Sequence, residues 1–331
     1  MDDDFDIGPR EFNISGFTRR ALETFRYQYR ENPIYRSYAD LLRVSPGSVE
    51  SLQDIPFLPI GFFKTHRVVS GNFSDEAVFE SSGTTRTGNS RHHVRSLAMY
   101  RESFLAAFRM FYGDPREWCI LSLLPSYLER GNSSLIVMAD ELMRISGHPE
   151  NGFYLDQYAR LHDTLLQLER AGQRTMLLGV TFALLDFSEA FPMELRHTVV
   201  METGGMKGRK REMTRDEVHE RLKKGLGIPA VHSEYGMTEL LSQAYSKGDG
   251  LFGTPPWMHV FLRAEDDPLC LADDSGRPLQ TGLINIIDLA NRHSCAFIAT
   301  DDLGRLSPDG TFEVLGRVDN SDVRGCSLMV V

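Results

Sequence analysis

Residues 80–88 read Glu80-Ser81-Ser82-Gly83-Thr84-Thr85-Arg86-Thr87-Gly88, a run in which hydroxyl side chains surround glycine. Glycine lets backbone N–H groups close on phosphate oxyanions, and Ser and Thr add donors without bulk. The apolar run Ala77-Val78-Phe79 precedes this segment. Downstream, Leu97, Tyr100, Phe104, Leu105 and Phe108 recur at the steps of one helix face. The local order is therefore strand, hydroxyl-glycine loop, helix. Clusters of this composition are commonly plain surface loops, so the phosphate reading depends on what the rest of the chain supplies.

Outward from that loop, residues 117–124 (Trp118, Ile120, Leu121, Leu123) and 175–180 read as short buried strands, with a helical stretch over 157–170 between them. Thr198-Val199-Val200-Met201 and Ile228-Pro229-Ala230-Val231 continue the rhythm. Alternating strands and helices predict an α/β architecture with largely parallel sheets. Beyond Gly250 the pattern changes to strands and tight turns. It places strands over 259–263, 282–289 and 312–315, a hairpin-type turn at Asp273-Asp274-Ser275-Gly276 and another turn at Ser307-Pro308-Asp309-Gly310. A β-rich subdomain is expected over about residues 250–315. At the other end, residues 16–38 are helical, with Phe17, Ala21, Phe25 and Tyr29 at four-residue steps and Asn32-Pro33 marking the end. Prolines keep Ile55-Pro56-Phe57-Leu58-Pro59 from being a central strand or a helix interior.

With 331 residues, 41% of them hydrophobic, the chain can bury a substantial core without staples. Its four cysteines, Cys119, Cys270, Cys295 and Cys326, show no paired or metal-ligand spacing, so neither a disulfide framework nor structural zinc is expected. The start, Met1-Asp2-Asp3-Asp4, has no secretory pattern, and no window approaches about 18 uninterrupted apolar residues. A soluble cytoplasmic protein without a membrane span is expected. The net charge of −10 argues against a general nucleic-acid partner, because the long-range field repels polyphosphate. The short basic run Lys207-Gly208-Arg209-Lys210-Arg211 reads as a solvated loop or a local phosphate-facing edge.

Four further segments carry chemistry. Glu202-Thr203-Gly204-Gly205-Met206-Lys207 sets a glycine pair after an apolar strand, where a ring or a phosphate can approach. His232-Ser233-Glu234-Tyr235-Gly236-Met237-Thr238-Glu239 places an aromatic, an accessible glycine, a hydroxyl and a carboxylate together. A base can stack on the Tyr while Thr and Glu meet phosphate and Mg²⁺. Ala299-Thr300-Asp301-Asp302-Leu303-Gly304-Arg305 offers a carboxylate pair, read as a turn, for ribose hydroxyls. Residues 315–326, Leu-Gly-Arg-Val-Asp-Asn-Ser-Asp-Val-Arg-Gly-Cys, are dense in charge and glycine beside Cys326.

The order SSGTTRTG, HSEYGMTE, ATDDLGRL, GRVDNSDVRG is similar to the successive SSGTTG, YGxTE, TGD and GRxD motifs of adenylate-forming enzymes. Together with ETGGMKG and the terminal RGCSL, it most resembles the LuxE acyl-protein synthetases, which make the fatty acyl donor for a bacterial reductase. The resemblance covers residues 57–331. It implies the N-terminal-domain fold of that superfamily: an acyl-activating core over residues 1–315 and a terminal segment, 316–331, carrying Cys326. It also implies a ligase in which a carboxylate attacks the α-phosphate of Mg·ATP, releases pyrophosphate, and passes its acyl group from the adenylate to a thiol. By that resemblance Ser81, Ser82, Gly83, Thr84 and Thr85 grip the ATP phosphates. Gly204 and Gly205 lie beside the purine, Tyr235 stacks on it, and Gly236 belongs to the same motif. Thr238 touches the α-phosphate, Glu239 holds Mg²⁺, and Asp302 and Arg317 bind the ribose.

Two departures from the pattern stand out. Asp301 replaces the glycine of TGD, which suggests a shifted turn. The sequence also stops at Val331, where most relatives continue into a mobile cap with a catalytic lysine, so no such cap is expected here. Arg86, Arg91, Lys207 or Arg324 would then have to supply the positive charge on the transferring phosphoryl group. LuxE-type enzymes load the acyl group on one of their own cysteines, and Cys326 matches that position, with Arg324 beside it to lower the thiol pKa. Cys119 and Cys295 sit in apolar runs and read as core. His92 and His93 read as surface or supporting hydrogen bonders rather than zinc ligands, and His232 is the histidine expected to face the acyl site. A partner acceptor of the acyl-reductase type is implied. The alternatives are a coenzyme A ligase of the phenylacetate type and a non-catalytic acyl or nucleotide-binding scaffold.

Overall fold

The computed structural model describes residues 14–81, 88–125, 132–204, 213–272 and 276–318. In chain order they form α1 (Ile14–Glu31), α2 (Pro33–Leu41), β1 (Leu58–Pro59), α3 (Phe62–Thr65), β2 (Ala77–Glu80), β3 (Arg91–Val94), α4 (Leu97–Tyr112), β4 (Cys119–Leu123), α5 (Ser134–Ser146) and β5 (Gly152–Phe153). Then follow α6 (Tyr158–Ala171), β6 (Thr175–Val180), α7 (Thr181–Ala190), β7 (Thr198–Thr203), α8 (Arg215–Leu226), β8 (His232–Tyr235), β9 (Ala244–Ser246), β10 (Phe252–Gly253), β11 (Met258–Arg263), β12 (Thr281–Asp288), β13 (Phe297–Leu306) and β14 (Phe312–Arg317).

Twelve strands share one sheet in the order β11-β12-β13-β14-β10-β9-β8-β7-β6-β4-β5, with β1 alongside β13. From β5 to β8 every pairing is parallel, and from β8 onward to β11 every pairing is antiparallel. Every residue of β4 and β6 is buried, as expected for parallel strands covered on both faces by helices. The strands beyond Gly250 continue this same sheet. No helix among the described residues is long and apolar enough to cross a membrane.

The N-terminal helical stretch is two helices rather than one. Asn32 ends α1 and caps α2, accepting from Tyr35 N at 3.0 Å, while Pro33 takes the first helical turn, where an N–H has no intrahelical partner. Phe17, Ala21 and Phe25 form the buried stripe of α1.

Three local expectations are corrected. The hydroxyl-glycine segment does not lead directly into a helix, because β3 intervenes and pairs antiparallel with β2 from Ala77↔Val94 to Glu80↔Arg91. Its inward residues are His92 and Val94, and histidine disguised the alternation. The strand expected at 228–231 begins instead at His232, where parallel pairing with Met201 starts. Ile228 and Val231 are buried without being in a strand, and Pro229 has no N–H to offer a ladder. Asp301 and Asp302 do not form a turn but lie inside the ten-residue β13. Aspartates disfavour strands in general. Here the cross-strand partner of Asp302 is Arg317, and a register shift between Leu303 and Gly304 accommodates the local irregularity.

Candidate active site

The parallel strands finish level with one another: Val180, Thr203 and Glu234 are aligned across β6, β7 and β8. In open α/β sheets such carboxyl ends are where ligands are held. The chain leaves β7 at Gly204, whose φ of 69° is a left-handed conformation that side chains rarely adopt. Its carbonyl is fixed by Thr181 Oγ1 at 2.9 Å. Beneath it, the Glu202 carboxylate accepts from Thr181 Oγ1 at 3.1 Å, His219 Nε2 at 3.0 Å and Ser233 Oγ at 3.1 Å. Burial alone would raise that carboxyl, but the hydrogen bonds from His219 and Ser233 and the nearby Arg215 charge together hold Glu202 below its usual range.

At the end of β8, Tyr235 donates its hydroxyl to Asp302 Oδ2 at 2.9 Å, and Phe312 meets its ring edge-on at 5.5 Å. Burial and the adjacent Asp302 carboxylate push the Tyr235 hydroxyl well above its ordinary pKa, so it remains a donor. The Arg317 Nε lies 3.8 Å from Asp302 Oδ1, and its Nη2 lies 3.7 Å from Asp301 Oδ2. The aspartate at the glycine position of TGD thus shares the arginine with its neighbour. Behind this pair, the Asp302 N–H donates to Thr300 Oγ1 at 3.1 Å. Arg263 donates to Thr300 O and to Asn285 Oδ1, both at 2.8 Å.

Thr238 and Glu239 are fixed from the opposite side. His92 Nδ1 lies 2.8 Å from Thr238 O, and Asn291 Nδ2 donates to Glu239 O at 2.7 Å. The Glu239 side chain is 5% exposed. Burial raises its pKa, while a hydrogen bond from Ser90 and the charges of Arg317 and Lys64 act against that rise. Ser90 in turn closes the base of the hydroxyl-glycine segment: its N–H donates to Ser81 Oγ at 3.0 Å, and its carbonyl accepts from Ser81 N at 3.1 Å. Asp288 secures the turn that follows Glu239, accepting from Leu241 N at 2.8 Å, Ser242 N at 3.0 Å and Ser242 Oγ at 2.6 Å.

Contacts and strand register therefore connect Ser81, Gly204, Tyr235, Gly236, Thr238, Glu239, Asp302 and Arg317 at one edge of the sheet. Ser82, Gly83, Thr84, Thr85, Gly205 and Cys326 lie outside the described residues, as do Arg86, Lys207 and Arg324. Arg91 is turned to Glu80, with Nε 3.3 Å from its carboxylate. His232 pairs with the Tyr112 hydroxyl at 3.2 Å, while His92 is the histidine that reaches the Thr238-Glu239 segment. Sequence reasoning passed over Lys64, Ser90 and Asn291 because they belong to no motif and act only through proximity. Cys119 and Cys295 are fully buried, and burial pushes both thiols up to about 12.

The fold recurs in solved structures. ATP-bound MatB from Rhodopseudomonas palustris superposes with a TM-score of 0.50 at 15% identity, covering 73% of this chain and 48% of that one. An ATP-bound RpMatB–BxBclM chimera gives 0.50 at 16%, covering 75% and 49%. McyG A-PCP complexed with phenylalanyl-adenylate gives 0.52 at 14%, covering 85% and 51%. The chain spans about half the length of these proteins. No family model matches the sequence, and no curated protein does. At such identities the likeness is one of fold: a large mixed sheet with flanking helices, the fold of the N-terminal domain of adenylate-forming enzymes.

Proposed function

We propose that this chain activates a carboxylic acid with ATP, forming an acyl adenylate and releasing pyrophosphate, and then passes the acyl group to a thiol as a thioester, with AMP as the leaving group. The observation that carries this reading is the continuous contact path from Arg317 through Asp302 to Tyr235, with Thr238 and Glu239 following on the same segment. In this reading Asp302 and Arg317 receive the ribose hydroxyls, Tyr235 offers its ring to the purine, and the Thr238 hydroxyl meets the α-phosphate. Ser81 and the segment after it hold the remaining phosphates. Fixed donors and a fixed ring orient the α-phosphate for in-line attack by the acid, the main contribution a protein makes to phosphoryl chemistry.

Glu239 suits a divalent cation, because its carboxylate is nearly buried and pays for that burial with a raised pKa. Mg²⁺ is commonly bound by one or two carboxylates with phosphate oxygens and water completing its shell. When bound, it would neutralise charge developing on the phosphates. Lys64, close enough to influence Glu239, is a described cation on this side of the site.

For the second step we assign the acceptor to Cys326 and the reaction to the acyl-protein synthetase type, with a fatty acid as substrate and an acyl-reductase-type protein as the eventual acceptor. Support comes from the ETGGMKG and RGCSL sequences and from the burial of two of the other three thiols. Cys119 and Cys295 are buried and hard to ionise, so neither suits acyl transfer. The test is pyrophosphate–ATP exchange with Mg²⁺ across a panel of carboxylic acids, followed by intact-protein mass spectrometry. Acid-dependent exchange is expected, with a hydroxylamine-sensitive acyl adduct that Cys326→Ser abolishes while exchange persists. No exchange with any acid refutes the first step, and an adduct surviving C326S refutes the second.

A further inference from the structure

We infer that His92 and Asn291 are positioning residues that lock the phosphate-loop ribbon to the Thr238-Glu239 segment, setting the spacing between the two halves of the proposed ATP site. This inference rests on the activation chemistry proposed above. The ribbon β2–β3 is a separate two-stranded sheet and gains no backbone pairing from the twelve-stranded one. Its backbone is tied to the segment before α5 by Glu80 N–H, which donates to Asn132 O at 2.9 Å, and among the described residues its links to the Thr238-Glu239 segment are made by side chains. Three polar contacts lie in a row. Ser90, which closes the loop base on Ser81, bonds the Glu239 carboxylate. His92, two residues on and buried at 1% exposure, has Nδ1 at 2.8 Å from Thr238 O. A carbonyl only accepts, so that nitrogen carries the proton.

Asn291 completes the link from the main sheet's side. It lies just after β12, its Nδ2 donates to Glu239 O at 2.7 Å, and its Oδ1 stands 3.0 Å from His92 Nε2, a packing contact for the neutral ring and a hydrogen bond only when both ring nitrogens are protonated. Two successive carbonyls, Thr238 O and Glu239 O, are thereby taken by two side chains that also touch each other. Both residues are buried, so the bonds act without competition from water. Phosphates held by the loop and an α-phosphate held by Thr238 must keep one separation through attack and departure. Misplacement by about 1 Å can cost roughly a hundredfold in rate.

The bland explanation is packing, since the His92 ring also meets Phe63 edge-on at 5.9 Å and Phe79 at 6.4 Å. Two substitutions separate the roles. His92→Phe keeps a ring among those aromatics and removes the donor, whereas His92→Asn loses the ring but places an amide N–H near the position of Nδ1–H. In the full chain, H92F is expected to lower kcat for acid-dependent exchange by about 10- to 100-fold with KM for ATP within about threefold, and H92N to recover most of that loss. N291A should resemble H92F, and the double variant should fall well short of the product of the single losses.

Hydrogen exchange of residues 236–241 supplies a readout free of catalysis: it should quicken in H92F and stay near wild type in H92N. If H92N is as impaired as H92F, or if H92F keeps wild-type kcat, the positioning role is overturned. If the wild-type chain activates no acid at all, the proposed function fails and the hydrogen-exchange comparison alone decides whether the lock exists.

Discussion

Burial pushes the Glu234 carboxyl up to about 7, with a 2.5 Å hydrogen bond from Thr203 Oγ1 acting the other way. Among the described residues, Tyr100, Tyr112 and Tyr245 are close enough to feel its charge, and no cation is among the influences on it. The folded state thus holds this proton more tightly than the unfolded chain, whose glutamates titrate near the ordinary value of 4.5. Stability from this group is complete below that value and declines as pH rises to about 7. The difference between the two states corresponds to a loss on the order of 3 kcal/mol. Glu234→Gln retains an acceptor for Thr203, so in urea it should be more stable than wild type by about 1–3 kcal/mol at pH 8 and nearly equal at about pH 4.5. A pH-independent difference would trace the effect to packing instead. Tyr235, Thr238, Glu239, Asp302 and Arg317 were legible because their types and order carry the information. The state of Glu234 was not, because it is set by neighbours from β7, α4 and β9 that no local reading assembles.

Strand β13 shows why elements were harder to read than motifs. Two aspartates and a glycine within seven residues suggested a turn, yet the segment is held extended by its neighbours. Arg263 of β11, 9% exposed, reaches across β12 to Ile284 O at 3.3 Å and Asn285 Oδ1 at 2.8 Å, and to Thr300 O of β13 at 2.8 Å. Thr300 also donates its hydroxyl to Ile284 O at 2.8 Å. Burial lowers the Arg263 pKa, and the Asp301 charge partly offsets this. Arg263→Met keeps the buried stem but leaves these acceptors without the guanidinium, so a loss of about 2–4 kcal/mol in urea unfolding is expected. Arg263→Lys should restore only part of it, since one ammonium cannot span both strands in fork geometry. Wild-type stability in R263M would mean that β13 holds Asp301 and Asp302 extended unaided. Local periodicity carried β4, β6 and β7 because each is built on a run of two or three consecutive apolar residues; it failed at β3 and β13, where polar residues are stabilised by partners distant in sequence.

At the scale of the whole molecule, helix-linked parallel strands give way to antiparallel ones at the β8–β9 pair, a few residues before the change of sequence pattern at Gly250, and the sheet itself runs on through β8, β9 and β10. Which distant strands pair is written in no single window of sequence, so that continuity was invisible beforehand. It has a measurable consequence. The chain has two tryptophans, one on each side of the change. Trp118, beside β4, donates to Tyr112 O at 3.1 Å under the Arg174 guanidinium, 4.1 Å from the ring. Trp257, just before β11, donates to Ser103 Oγ of α4 at 3.1 Å and to Ser242 Oγ at 3.0 Å. Ser103 and Ser242 lie 3.0 Å apart, so Trp257 joins a helix of the parallel half to the antiparallel strands. Such cross-connection argues for one cooperative unit, even though chains of this size often unfold in stages. Trp118→Phe and Trp257→Phe each leave one reporter. In each variant the urea midpoint from fluorescence should coincide with that from far-ultraviolet circular dichroism. Coincidence in both means that the site, which draws Tyr235 from one half and Asp302 from the other, is lost in a single step. An earlier fluorescence midpoint in W118F, where only Trp257 reports, would show the strands beyond Gly250 separating first and taking Asp302 and Arg317 away from Tyr235 before the parallel half unfolds.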